Sequence, residues 1–207
     1  MTELGTRPAL IGIAGGIGAG KSVVSRVLRL RGYRVYDCDS RARDLMETSV
    51  DIKEALCQWC GDKVIGADGR IDRVRLGELF FADTDLRSRV NALVHERVRE
   101  DVKRFVAESE GAAVFVEAAV MATSGLADIC DMVLWVTAPE SVRVRRAMER
   151  DGMKRDSVLA RIDSQRHELE ALQEHALKVV EVINDDTISL LSQISRVTDS
   201  LEALAKI

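Results

Sequence analysis

Hydrophobic positions fall into two kinds of run along this chain. Short blocks of consecutive apolar, often β-branched residues predict strands buried on both faces: about Leu10–Ala14, Arg34–Asp37, Ala113–Glu117, Met132–Val136 and about Val179–Asn184. Between and after them, apolar residues return every three to four positions. That period predicts helices over Ser22–Arg31, Ser40–Thr48, Asp51–Cys60, Arg73–Phe81, Thr84–Ser109 and Thr187–Lys206, and a longer helical stretch over Ser141–Leu172. Strands alternating with helices indicate an α/β fold, a five-stranded parallel sheet with crossover helices.

Two stretches are too long to be simple crossovers. The gap between the second and third strands predicts an inserted helical subdomain over about 44–109, which we read as substrate-binding. Within it, Ala67–Arg70 is a turn, Thr84-Asp85 offers a helix N-cap, and Gly111 follows as a stop. The arginine-rich stretch over about 143–172 is the second, a candidate helical lid. The sheet core then takes about 1–43, 110–142 and 173–207 of a single domain.

The junction of the first strand and first helix carries the chemistry. Gly15-Gly16-Ile17-Gly18-Ala19-Gly20-Lys21-Ser22 fits G-x-x-x-x-G-K-[ST], a phosphate-binding loop, in the strand–loop–helix setting that this pattern needs. Glycines let successive backbone N–H groups turn inward, and the helix N-terminus adds its dipole. Gly16, Gly18, Ala19, Gly20, Lys21, Ser22 and Val23 are therefore candidate ATP-binding residues. Lys21 would reach the β- and γ-phosphates, and the Ser22 hydroxyl would ligate Mg²⁺. The plainer alternative is a glycine-rich turn with an incidental lysine.

Asp37 and Asp39 close the second strand. In extended backbone they would point to one side, at the sheet end where ligands of open α/β folds sit. A carboxylate there suits a proton acceptor or a metal ligand; capping of the following helix is the alternative. Glu117, ending the third strand, has the placement of an acid that positions Mg²⁺. Arg143, Arg145, Arg146 and Arg150 crowd one helix, with Arg146 and Arg150 on one face. They suit a lid that stabilises a transferring phosphoryl group. They equally suit a solvated basic face paired with acids such as Glu149 or Glu168.

Composition narrows the partners. The net charge is −4 and aromatics are 4% of residues, so neither a nucleic-acid surface nor a membrane is an expected partner. No apolar run has transmembrane length, and Met1–Pro8 lacks a signal-peptide core, which predicts a cytoplasmic protein. Of four cysteines, Cys57 and Cys60 make a lone C-x-x-C with no second ligand pair, read as two residues one helical turn apart. The oligomeric state is open.

Longer segments resemble the dephospho-coenzyme A kinase family, P-loop kinases related to the nucleoside monophosphate kinases. Gly12–Ser22 is similar to G-L-T-G-G-I-G-S-G-K-S, Val35–Arg43 to V-I-D-A-D-x-I-A-R, and Asp68–Leu76 to D-G-x-L-D-R-x-x-L. Leu93-Val94-His95 with Arg97–Arg99 resembles L-x-H-P-x-I-R. Arg146, Arg150-Asp151, Arg161-Ile162 and Gln165 follow the lid pattern, and Val182–Asn184 the late V-I-x-N. The resemblance implies phosphorylation of the ribose 3′-hydroxyl of dephospho-coenzyme A by ATP with Mg²⁺. It implies Asp39 as general base, Arg43, His95 and Arg99 with Asp37 on the acceptor side, Arg146 as a catalytic lid residue with Arg150, and Asn184 at the adenine. The chain departs from the pattern at Ala14, at Glu96 in place of the proline of H-P, and at Asp186 in place of a common glycine. Glu117–Thr123 stands for D-I-P-L-L-F-E without its proline and final acid. A kinase for another small acceptor and a weakly catalytic nucleotide-binding regulator are the competing readings.

Overall fold

The first apolar block forms β1, Ala9–Ala14, the middle strand of a five-stranded sheet. The computed structural model describes residues 7–61, 64–175 and 178–204. The expectation for the N-terminal segment therefore lies mostly outside the described residues, as does Lys206. β2 (Val35–Asp37), β3 (Ala113–Glu117), β4 (Met132–Thr137) and β5 (Lys178–Ile183) complete the sheet in the order β2-β3-β1-β4-β5. All pairings are parallel; Ile13 lies opposite Glu117 on one side and Leu134 on the other. Every strand therefore delivers its carboxyl end to one edge of the sheet, where β1 gives way to the phosphate loop.

The unbroken apolar character of the central strands follows from burial on both faces. On one face Ile11, Ile13, Phe115, Leu134 and Val136 pack with Val24 and Leu28 of α1 (Lys21–Leu30) and Ile194 of α9 (Leu190–Leu204). Full burial of each such large side chain contributes about 1.5–3 kcal/mol. On the other face Gly12 leaves room for Met121 and Val133; a Cβ there would lie 3.0 Å from Met121 Cε and 2.9 Å from Val133 Cγ2.

Contacts divide the chain into two compact units, one of residues up to Asp37 together with Lys103 onward, the other Cys38–Val102. The first unit holds the sheet, α1, α6 (Glu140–Asp151), α7 (Arg155–Ser164), α8 (Arg166–Glu174) and α9. The second holds α2 (Cys38–Thr48), α3 (Val50–Cys60), α4 (Arg73–Ala82) and most of α5 (Thr84–Ala107).

Three local expectations need correction. α2 begins at Cys38, so Asp39 sits in its first turn and not in extended backbone. The two-residue alternation that aligned Asp37 with Asp39 stops at Asp37. At α5, Asp83 is the capping side chain, accepting from Leu86 N at 2.9 Å, while Thr84 is already helical. The last helix starts at Leu190, because Asp185 turns the chain first by accepting from the Thr187 and Ile188 amides.

Within the helical unit, the Asp68–Leu76 segment has a structural role. Gly69, with φ +73°, makes the turn that brings Ile65 opposite Ile71. Asp72 then caps α4 by accepting from Arg75 N at 3.0 Å, and Arg73 pairs with Glu47 of α2 at 2.8 Å. Cys57 and Cys60 are free thiols on α3, one helical turn apart. Arg41 of α2 pairs with Asp101 of α5 at 2.6 Å.

Asp51, at the start of α3, accepts from the Ser49 hydroxyl and pairs with Arg97 of α5. The Ser49 bond first, and Arg97 second, hold its carboxyl below the ordinary 3.8. Arg73 likewise lowers Glu47. Carboxyls depressed in the folded state contribute stability above their unfolded values, and that stability is lost as pH falls through the folded values. Melting temperature should therefore drop as pH falls below about 4. Asp51→Asn should melt lower than wild type at pH 7 and show a shallower acid limb. Superimposable melting curves across pH 3–7 would mean that Asp51 contributes nothing.

Candidate active site

The phosphate loop runs from the end of β1 to the start of α1, and its glycines are demanded by close neighbours. A Cβ on Gly15, at φ +144°, would lie 2.2 Å from the Val136 carbonyl oxygen of β4. One on Gly16 would lie 2.0 Å from Arg143 Nη2, and one on Gly18, at φ +74°, 2.2 Å from the Arg143 carbonyl oxygen. One on Gly20, at φ +99°, would lie 2.1 Å from Asn184 Nδ2. At Gly15 and Gly18 the neighbour is backbone that cannot move aside, while at Gly16 and Gly20 it is the end of a side chain, so the motif's glycines at 15 and 18 record what presses on the loop as well as what it binds. Gly20 also precedes α1 without a capping side chain, which leaves that helix N-terminus open to an anion.

Lys21 extends back along the loop, donating to the Gly15 carbonyl at 2.7 Å. Ser22 is exposed on the first turn of α1. Together with Gly18, Gly20, Val23, Arg146, Glu149 and Arg150, Ser22 lines an open cavity of about 380 Å³. Six residues expected at a nucleotide site thus share one cavity. Asn184, directly after β5, anchors the loop: Nδ2 donates to the Ala19 carbonyl at 2.8 Å, and its backbone N–H to the Thr137 carbonyl at 2.8 Å.

The arginines of α6 are individually placed. Arg143 donates from Nε to the Ile17 carbonyl at 3.0 Å, and burial lowers its pKa from the ordinary arginine value. Arg146 donates from Nη1 to the Asn184 carbonyl at 2.9 Å and forks onto both carboxylate oxygens of Asp186 at 3.1 Å. Asp186 holds a left-handed conformation, φ +68°, where glycine would be unstrained. Arg150 pairs with Asp151 at 2.7 Å. Glu168, offered in the sequence as an arginine partner, is bonded elsewhere. It is buried and accepts from the Ala122 and Thr123 amides at 2.9 and 3.3 Å and from the Thr123 hydroxyl at 2.5 Å. The segment that lacks the family's final acid is thus held by an acid from α8.

At the carboxyl edge of the sheet, Asp37 lies in register with Glu117, which lies beside Ile13. In the helical unit, Asp39 is exposed in the first turn of α2, Arg43 donates to Ser40 Oγ at 3.3 Å, and His95 and Arg99 lie one turn apart on α5. Two side chains that touch the loop, Arg143 and Gln165, were expected only as part of the lid, Arg143 among its arginines and Gln165 in its family pattern, and neither was assigned a contact with the loop. Gln165 accepts from the Ile17 amide at 2.8 Å.

Comparison with known proteins agrees with this geometry. The dephospho-CoA kinase family profile matches residues 9–189. A dephospho-CoA kinase of Porphyromonas gingivalis is 40% identical over 76% of this chain and 78% of its own. One from Thermobifida fusca is 35% identical over 95% and 96%. A crystal structure of a Thermus thermophilus protein superposes with a TM-score of 0.76 at 32% identity, covering 96% of this chain and 98% of that one. A shikimate kinase from Bacteroides thetaiotaomicron, 14% identical with a TM-score of 0.53, shares the fold. With its loop, sheet and helical unit all inside the matched span, the chain belongs to the dephospho-CoA kinase family.

Proposed function

We propose that this protein transfers the γ-phosphoryl group of ATP to the ribose 3′-hydroxyl of dephospho-coenzyme A, giving coenzyme A and ADP in the last step of coenzyme A biosynthesis. The observation that carries the reading is the extent of the family match, residues 9–189, which takes in both the loop and the helical unit.

The roles follow from the chemistry. Loop amides and the α1 N-terminus bind the phosphates, and Lys21 moves from the Gly15 carbonyl to the β- and γ-phosphates. Asp39 accepts the proton of the 3′-hydroxyl as its oxygen attacks phosphorus. Arg146 and Arg150, already on the cavity wall, neutralise charge on the phosphoryl oxygens, and Asn184 borders the adenine. Asp37, Arg43, His95 and Arg99 serve the acceptor.

Among the described residues no group of three or more His, Cys, Asp or Glu could hold a metal. That suits Mg²⁺, which takes one or two protein oxygens and fills its sphere with phosphate oxygens and water. Ser22 and Glu117 would hold it, and when bound it would neutralise the β- and γ-phosphate oxygens. No helix among the described residues is long and apolar enough to cross a membrane. Four free cysteines suit a reducing compartment, and we place the protein in the cytoplasm, with small molecules and not nucleic acid as its substrates.

An acceptor panel with ATP and Mg²⁺ tests the substrate. Dephospho-coenzyme A should be phosphorylated at the 3′ position and AMP left unchanged; the reverse outcome would sink the assignment. Asp39→Asn should lower kcat by roughly 10²–10⁴-fold while calorimetry still detects ATP binding. Turnover near wild type would remove Asp39 from the role of base. Lys21→Ala should lower kcat by about 10²–10³-fold through lost charge stabilisation, and a kcat within twofold of wild type would contradict its role.

A further inference from the structure

Ile17, in the middle of the phosphate loop, is gripped on every side by the helical arm α6–α7. Its side chain is 7% exposed and packs with Val144 and Ala147 of α6 and with Val158 and Ile162 of α7. Its amide donates to Gln165 Oε1 at 2.8 Å, and its carbonyl accepts from Arg143 Nε at 3.0 Å. The residue therefore has neither backbone group to offer a ligand.

Those two bonds orient the peptide planes on either side of Ile17. In a trans peptide the carbonyl oxygen and the following N–H point in opposite directions. No peptide bond among the described residues is cis. Fixing the Ile17 carbonyl on Arg143 therefore turns the Gly18 N–H away from Arg143, and Gly18 lines the cavity shared with Ser22, Arg146 and Arg150. Fixing the Ile17 amide on Gln165 turns the Gly16 carbonyl the opposite way, where it accepts from Ala19 N at 3.2 Å and closes the loop's tight turn. The contact at Gly18 that excludes a Cβ is made by this same Arg143, by its backbone oxygen, and its guanidinium occupies the space beside Gly16.

We propose that Arg143 and Gln165 are positioning residues for the phosphate site: acting through Ile17, they hold the Gly18 amide in the direction that meets a nucleotide phosphate. Neither touches the reacting atoms. The helical arm presets the loop from below, and amides oriented before the ligand arrives do not have to be ordered by it. What matters at residue 143 is an N–H donor of the right reach, more than a charge.

The inference rests on the loop binding ATP and not on the identity of the acceptor. ADP affinity measured by calorimetry therefore tests it even if dephospho-coenzyme A proves not to be the acceptor. Arg143→Ala should weaken ADP binding roughly tenfold and raise KM for ATP similarly, with KM for dephospho-coenzyme A within about twofold of wild type. Arg143→Gln keeps one side-chain N–H to donate and should recover ADP affinity to within about threefold. Gln165→Leu, which removes the acceptor at the other plane, should show the same ATP-selective defect. ADP affinity unchanged in both Arg143→Ala and Gln165→Leu would overturn the proposal. So would a parallel rise in both KM values, with lowered melting temperature and no recovery in Arg143→Gln, the signature of general loosening. If Arg143→Ala does not fold, Gln165→Leu and Arg143→Gln decide the question.

Discussion

Everything at the phosphate site depends on how near other backbone can come to a loop that lacks side chains. The Val136 carbonyl of β4 stands where a Cβ of Gly15 would be, and the Arg143 carbonyl of α6 where one of Gly18 would be. A strand and a helix can lean on the loop only because these positions are glycine, and once they do, the loop has little freedom left. Asn184 fills the corresponding place at Gly20 with an amide that also bonds the Ala19 carbonyl. Three neighbours that follow the loop in sequence by more than a hundred residues thus define its shape.

The sheet supplies the other half of that arrangement. With β1 flanked by β3 and β4 and all strands parallel, Asp37, Glu117 and the loop arrive at one edge without any of them being individually steered there. Charge is then distributed by local pairing. Arg146 is held by Asp186 and the Asn184 carbonyl, and Arg150 by Asp151, so the cations on the cavity wall are placed before any phosphate is present.

The sheet strands were legible because buried parallel strands read as unbroken apolar runs; β3 agrees at both ends and the others within about two residues, a margin usual for element termini. The loop was legible because its glycines and lysine are contiguous. What the sequence hid has a common physical cause. Asp39 was read as extended because an aspartate can equally end a strand, cap a helix or sit in its first turn, and only the start of α2 at Cys38 decides. Thr84 looked like a cap because Asp83 beside it is equally able to be one. Arg143 and Gln165 were read only as lid residues and Glu168 only as an arginine partner, because the groups they bond are backbone groups. Backbone acceptors and donors leave no trace in the identity of the residue that carries them.

Glu168 gives the helical arm its second attachment. One turn along from Gln165, its buried carboxylate is tied to the amides of Ala122 and Thr123, and withdrawing it would strand those donors without partners. The arm is therefore tied at two places, to the loop through Ile17, which Arg143 and Gln165 hold from opposite ends of α6–α7, and to the β3–β4 connection through Glu168. Between the Arg143 and Gln165 ties, Gly152 joins α6 to α7 in a left-handed turn, so the strap is folded at a glycine.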